Sequence, residues 1–154
     1  MRSVNWKEEY IKAEQEAKAQ VSNNDFYIFD NIYKDSIEAH LETSKDFNKE
    51  INLNKSKEFQ DYELYLDVCV DLGIEPYIVL MPTNGRWYDY IGMTKENRDA
   101  FYDKAEEMAE ERGFEVLNLK DEEYTPYFMI DAMHLGTKGW LKVDEELCRH
   151  FEKE

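Results

Sequence analysis

Two residues with chemistry to offer sit three positions apart, Asp131 and His134, within Asp131-Ala132-Met133-His134-Leu135-Gly136-Thr137-Lys138-Gly139-Trp140. At that spacing one short turn can bring the carboxylate against one imidazole nitrogen. The other nitrogen is then free to move a proton, which is two-thirds of a nucleophile–base–acid set. The remaining third is not evident. The serines are Ser3, Ser22, Ser36, Ser44 and Ser56, and none follows an apolar strand. Cys69 and Cys148 fall beside apolar residues in predicted helices and read as two buried thiols. The plainer alternative is that Asp131 caps the turn and His134 is a satisfied structural histidine.

A second stretch, Pro82-Thr83-Asn84-Gly85-Arg86-Trp87-Tyr88-Asp89-Tyr90, crowds donors and aromatic rings together. Asn84-Gly85 favours a tight turn. Exposed rings with a convergent amide suit a small polar ligand. The alternative is that Trp87 and Tyr90 fold back onto the helix layer. Metal chemistry is not expected, because His40, His134 and His150 are scattered. Glu146 and His150 lie one helical turn apart, a spacing that fits a surface ion pair.

The elements that must position these residues follow from periodicity. Trp6, Tyr10, Ala13, Ala17 and Val21 repeat at helical spacing over 5–21. Residues 25–33 form an aromatic connector, 34–44 a weakly patterned short helix, and 45–55 an exposed loop. Ser56 can cap a helix whose apolar stripe is Phe59, Tyr62, Leu66 and Cys69, ended by Gly73. The apolar run 74–81 suits a strand covered on both faces, Pro82 stops it, and 83–93 reads as a long loop. Thr94 caps a helix over 95–112 that buries Phe101, Ala105, Met108 and Ala109, and 114–119 is a second strand after Gly113. Residues 120–126 are linker-like. Gly136 and Thr137 open a last helix lined by Trp140, Val143, Leu147 and Phe151. Helix, glycine, strand, twice over, is the rhythm of an α/β fold with a parallel sheet. Ligands collect at the carboxyl ends of such strands, so loop 83–93 and the Asp131–His134 turn are expected on one rim.

The chain of 154 residues reads as a single domain over 1–154, with 42% apolar and 14% aromatic residues, enough for a packed core. Its net charge of −16 repels phosphate backbones and argues against nucleic acid as a partner. No apolar run approaches the roughly 20 residues that cross a bilayer.

The chain resembles the DltD family, over nearly its whole length. The match runs from Trp6 to Ala17, through Ser22-Asn-Asn-Asp-Phe26 and Ser56-Lys-Glu-Phe-Gln-Asp-Tyr62. It is closest at Pro82 to Gly92 and at Pro126 to Trp140. The resemblance implies a three-layer α/β/α, SGNH- or flavodoxin-like parallel sheet, of which this chain would hold the C-terminal part. It implies a Ser–His–Asp set in which Asp131 orients and His134 is the base. Asn84, Gly85, Trp87, Tyr88 and Tyr90 would stand on the substrate side, with no cofactor and no metal. It also implies a membrane-anchored protein outside the cell of Gram-positive bacteria. Such a protein works with a D-alanyl carrier protein or the membrane D-alanylation machinery, on lipoteichoic acid. The family's Gly-x-Ser block and N-terminal anchor have no counterpart here. The chain is therefore expected to supply the Asp–His half and to perform no acyl transfer alone; the alternative is a non-catalytic module that binds a D-alanyl carrier or teichoic acid. The edge of strand 76–81 is expected either to pair with a second copy or to be covered by 25–33 or 45–55.

Overall fold

Two short strands, β1 (Ile78–Leu80) and β2 (Val116–Asn118), run parallel with Ile78 opposite Val116 and Leu80 opposite Asn118. Alternation along them serves both faces. Ile78 and Val116 pack with Leu66, Cys69, Ala109 and Phe114, while Val79 and Leu117 pack with Leu119, Phe128, Met129, Leu135 and Val143. The first face is covered by α4 (Glu58–Leu72) and α6 (Lys95–Glu110), the second by α7 (Thr137–Phe151). Behind α7 lies α1 (Trp6–Lys18), held by Tyr10 donating to Glu145 at 3.0 Å and by Lys138 to Glu14 at 2.7 Å. The fold is α/β, with helices on both sides of a small parallel sheet. The computed structural model describes residues 4–22 and 24–152; Ser3 lies outside them.

Local chemistry places most boundaries. Thr94 Oγ1 accepts from Asn97 N at 3.3 Å, and Ser56 Oγ accepts from Glu58 N at 3.3 Å, so both hydroxyls satisfy amides that open a helix. Gly73 ends α4 at φ 65°, a left-handed turn that a side chain would resist.

Several expectations give way to tertiary contacts. Segment 30–44 is broken into α2 (Asp30–Ile32), a π-turn (Tyr33–Ile37), a 3₁₀ turn (Glu38–His40) and α3 (Leu41–Ser44). It is pinned by a cluster of Ile28, Tyr33 and Ile37 rather than by a continuous stripe. The loop read over 83–93 contains a helix, α5 (Gly85–Tyr90), and the linker 120–126 contains a 3₁₀ helix, Lys120–Tyr124. In α7 only Val143 and Leu147 of the expected stripe face the core; Trp140 and Phe151 are 52% and 61% exposed. The reason is Gly139. A Cβ there would lie 2.7 Å from the Phe128 carbonyl oxygen, so the helix comes close by turning its glycine inward and its tryptophan outward. Cys69 is buried as expected, but the same rotation leaves Cys148 exposed. Glu146 pairs with Lys142 and Arg149, and His150 pairs instead with Glu115 at 3.2 Å while stacking on Tyr77.

Among the described residues β1 is paired along one edge only, with β2. Neither loop expected to cover the other edge does so through backbone bonds. Asp46 and Asn48 donate to Tyr90 and Ile91, and Phe29 donates to Ile130. The outer face of α4 leaves Leu64, Tyr65, Val68 and Leu72 exposed. No helix among the described residues is long and apolar enough to cross a membrane.

Candidate active site

The Asp131–His134 turn is the tip of a tight hairpin. Met129 and Leu135 bridge antiparallel, and Ile130 N donates to His134 O at 2.9 Å. Inside the tip Asp131 uses both carboxylate oxygens. Its Oδ1 accepts from Met133 N and His134 N, each at 2.8 Å, and its Oδ2 lies 2.7 Å from His134 Nδ1. One carboxylate thus caps the turn with one oxygen and meets the ring with the other. The Asp131 side chain is 20% exposed and the His134 side chain 68%, so the imidazole projects into solvent from a fixed base.

Partial burial opposes ionisation of Asp131. The two backbone donors and the ring outweigh it and hold the carboxyl below its ordinary range. The sign of the pH effect follows. A carboxyl whose folded pKa is depressed contributes stability above its unfolded value, near 4, and loses it as pH falls through the folded value. The stability gap between the native chain and Asp131→Asn, measured by urea unfolding, is therefore expected to be full at neutral pH and to close progressively below about pH 4. A gap that is unchanged in acid would show that the carboxylate contributes nothing as an anion.

Asn84 joins this turn to the carboxyl end of β1. Its backbone N donates to Ala132 O at 2.9 Å. Its side-chain Nδ2 donates to Phe26 O at 2.7 Å and, more weakly, to Asp131 O at 3.4 Å. Its Oδ1 accepts from Trp87 N at 3.1 Å and caps α5. The amide is buried and engaged on both sides, so one side chain fastens segment 26, α5 and the Asp131 turn together.

Of the other loop residues, Trp87 and Tyr90 turn inward. Both rings meet Phe26 at 5.3 Å, and Tyr90 OH donates to Leu41 O at 3.0 Å. They anchor segment 26–41 to the rim. Tyr88 lines a cavity of about 240 Å³ with Thr83, Met93, Arg98, Phe101 and Tyr102, where burial raises its phenol pKa. Gly85 is fixed by close approach: a Cβ there would lie 2.9 Å from the Tyr124 ring and 3.1 Å from Glu123 Cβ. Gly85→Ala is expected to lose about 1–3 kcal/mol in a thermal melt, because the Tyr124 ring is itself held by bonds to Asp89 and Arg98. Wild-type stability in that variant would mean the ring is free to move.

Beneath the loop lies a buried network that sequence reasoning missed. Arg98 Nε and one terminal nitrogen donate to the two oxygens of Glu123 at 2.8 and 3.0 Å. The other terminal nitrogen donates to Asp89 at 2.9 Å and to Met93 O. Tyr124 OH donates to Asp89 at 2.7 Å, and Thr83 Oγ1 to Glu123 at 3.2 Å. One signal was readable: Arg98 lies in line with Tyr102, Ala105 and Ala109 on the buried face of α6, where a lone charge demands a partner. Nothing in the acidic run 121–123 marks Glu123 as that partner. Among the described residues no group of three or more acidic, histidine or cysteine side chains forms a metal site.

The chain as a whole is similar to known proteins. A protein DltD of Bacillus subtilis (strain 168) is 37% identical over 152 residues, covering 99% of this chain and 38% of the relative. A protein DltD of Staphylococcus aureus (strain NCTC 8325 / PS 47) is 36% identical over 151 residues, 98% of this chain and 38% of the relative. A third, from Lacticaseibacillus rhamnosus, is 28% identical over 127 residues, 82% of this chain and 30% of the relative. The chain thus spans about two-fifths of the length of the first two relatives. The family model described as DltD protein matches residues 1–152, and the chain belongs to that family.

Proposed function

We propose that this chain carries the Asp–His half of an acyl-transfer site that moves D-alanine onto lipoteichoic acid at the outer face of the cytoplasmic membrane. The observation that carries the reading is the 2.7 Å contact between His134 Nδ1 and Asp131, with the His134 side chain mostly exposed to solvent. Asp131 fixes the tautomer that leaves Nε2 as the acceptor, and its charge stabilises the imidazolium that forms.

The nucleophile in this reading is a serine hydroxyl supplied by polypeptide outside this chain. His134 Nε2 takes its proton as the oxygen attacks the carbonyl carbon of a D-alanyl thioester or ester. The C–S or C–O bond breaks, and the leaving group receives the proton from His134. The acyl-serine is then attacked by an acceptor hydroxyl, with the same imidazole taking and returning one proton. Transfer and hydrolysis differ only in whether that acceptor is a polymer hydroxyl or water. The donor-side partners are a D-alanyl carrier protein or the membrane D-alanylation machinery.

The test is replacement. This chain is joined to the upstream part of the Bacillus subtilis relative, in place of that relative's matching region, in cells lacking their own copy. D-alanyl ester in the wall is then measured. Restored ester supports the reading; ester at the level of the deletion strain, with the hybrid present and folded, sinks it.

A further inference from the structure

The described arginines differ in one respect. Arg98, Arg112 and Arg149 each meet a carboxylate, at 2.8 Å to Glu123, 2.7 Å to Asp67 and 2.6 Å to Glu145. Among the described residues Arg86 alone of the arginines meets none within 4.0 Å, in a chain with 35 acidic and 19 basic residues. Its guanidinium is nonetheless held. The central carbon lies 4.8 Å over the Tyr27 ring and 5.9 Å from that of Tyr124, and one terminal nitrogen donates to Tyr124 O at 2.6 Å. A guanidinium has five N–H donors in a rigid fork. The rest of this fork makes no bond to the described protein.

A second observation falls on the same spot. Tyr27 and Tyr127 adopt left-handed backbone at φ 58° and 63°, and their rings meet edge to face at 5.1 Å. Such strain costs about 1–3 kcal/mol per residue and persists where the surroundings over-determine it, often at ligand sites. The position matters too. Tyr27 follows Phe26, which accepts from Asn84, and Asn84 stands two residues before Arg86 with two further bonds to the Asp131 turn. Pre-positioned, charged and unpaired, the fork lies on the rim of the candidate site.

We infer that Arg86, held by Tyr27 and Tyr124, is an anion-binding residue that takes a phosphate or phosphodiester group beside the Asp131–His134 turn. Two parallel N–H···O bonds to one phosphate match the geometry of the free fork. A net charge of −16 repels a polyanion as a whole, so a phosphate-bearing ligand needs such a local cation to be received at all. Its service to acyl transfer rests on the function proposed above; the anion site itself does not.

The experiment uses the whole chain, with inorganic phosphate, glycerol 3-phosphate and dimethyl phosphate titrated at fixed ionic strength. The readout is the ¹H–¹⁵N shift of Arg86 Nε–H and of the Tyr27 and Tyr127 amides. All three sites are expected to shift saturably, and dimethyl phosphate separates a diester from a free phosphate as the preferred form. Arg86→Gln is expected to weaken binding about tenfold or more, and Arg86→Lys less, since a lysine keeps charge but not the fork. Tyr27→Leu keeps the charge, removes the platform, and is expected to weaken binding about threefold. Arg149→Gln, at an exposed paired arginine, should leave binding unchanged. Equal binding by Arg86→Gln and the native chain overturns the inference, as does a non-saturating shift shared with Arg149→Gln. If Arg86→Gln melts early, Arg86→Lys decides by the same criterion. Phosphate binding kept while the hybrid fails to transfer D-alanine would sink the function and leave this site standing. Transfer kept without phosphate binding would do the reverse.

Discussion

Replacing Arg98 with alanine is expected to destabilise the chain by about 3–5 kcal/mol in urea unfolding, the largest single effect on stability outside the hydrophobic clusters. The side chains of Arg98 and Glu123 are 1% and 0% exposed. Neither charge has solvent to fall back on, so each depends on the other for the energy it lost on leaving water. Removing the guanidinium strands a buried carboxylate, and it also frees Asp89 and Met93 O, which hold the far end of the α5 loop. Glu123→Gln keeps the shape and one acceptor and is expected to lose less. Replacing both residues by apolar ones of similar volume should recover much of the loss, because the pair as a whole is worth far less than either half costs to break. A loss below about 1 kcal/mol for Arg98→Ala would mean that water reaches the pair.

The second large effect is on activity. In the hybrid protein, His134→Ala is expected to lower D-alanyl transfer by about a thousandfold or more, since it removes proton transfer in both half-reactions. Asp131→Asn is expected to approach that loss, because an amide facing Nδ1 favours the wrong tautomer and cannot stabilise the imidazolium. The two substitutions separate on stability. His134 is exposed, so its removal should leave unfolding within about 0.5 kcal/mol of native, whereas Asp131 also accepts two backbone bonds. Loss of transfer with stability kept is the signature of a chemical role. Transfer at the native level in His134→Ala would remove this residue from the reaction and leave a module that binds without chemistry.

What could be read from the sequence was what local chemistry decides. Gly73 and Gly113 ended their helices, Thr94 opened one, and the apolar runs after the glycines became the paired strands. The Asp131–His134 contact was legible for the same reason: it closes over three residues. What distance in the chain decides was not legible. Asn84-Gly85 read as a tight turn, yet Asn84 caps a helix, because that helix is held by bonds to residues far away in the chain. Periodicity points Trp140 inward and apolar neighbours suggest a buried Cys148, yet the fit of Gly139 against Phe128 leaves both exposed. Glu123 is buried only because Arg98, 25 positions earlier, is there to meet it.

The Asn84 clasp bears on the order in which this protein assembles. Its side chain closes 58 residues to reach Phe26, while the carboxylate–imidazole contact closes three. Loop closure disfavours the longer loop by about 2–3 kcal/mol of chain entropy. The hairpin tip is therefore expected to form early in folding and to persist in a partly opened chain, with its surroundings arriving with the last long-range contacts. On warming, the acid–base pair is expected to outlive the clasp that fastens it to the rest of the fold.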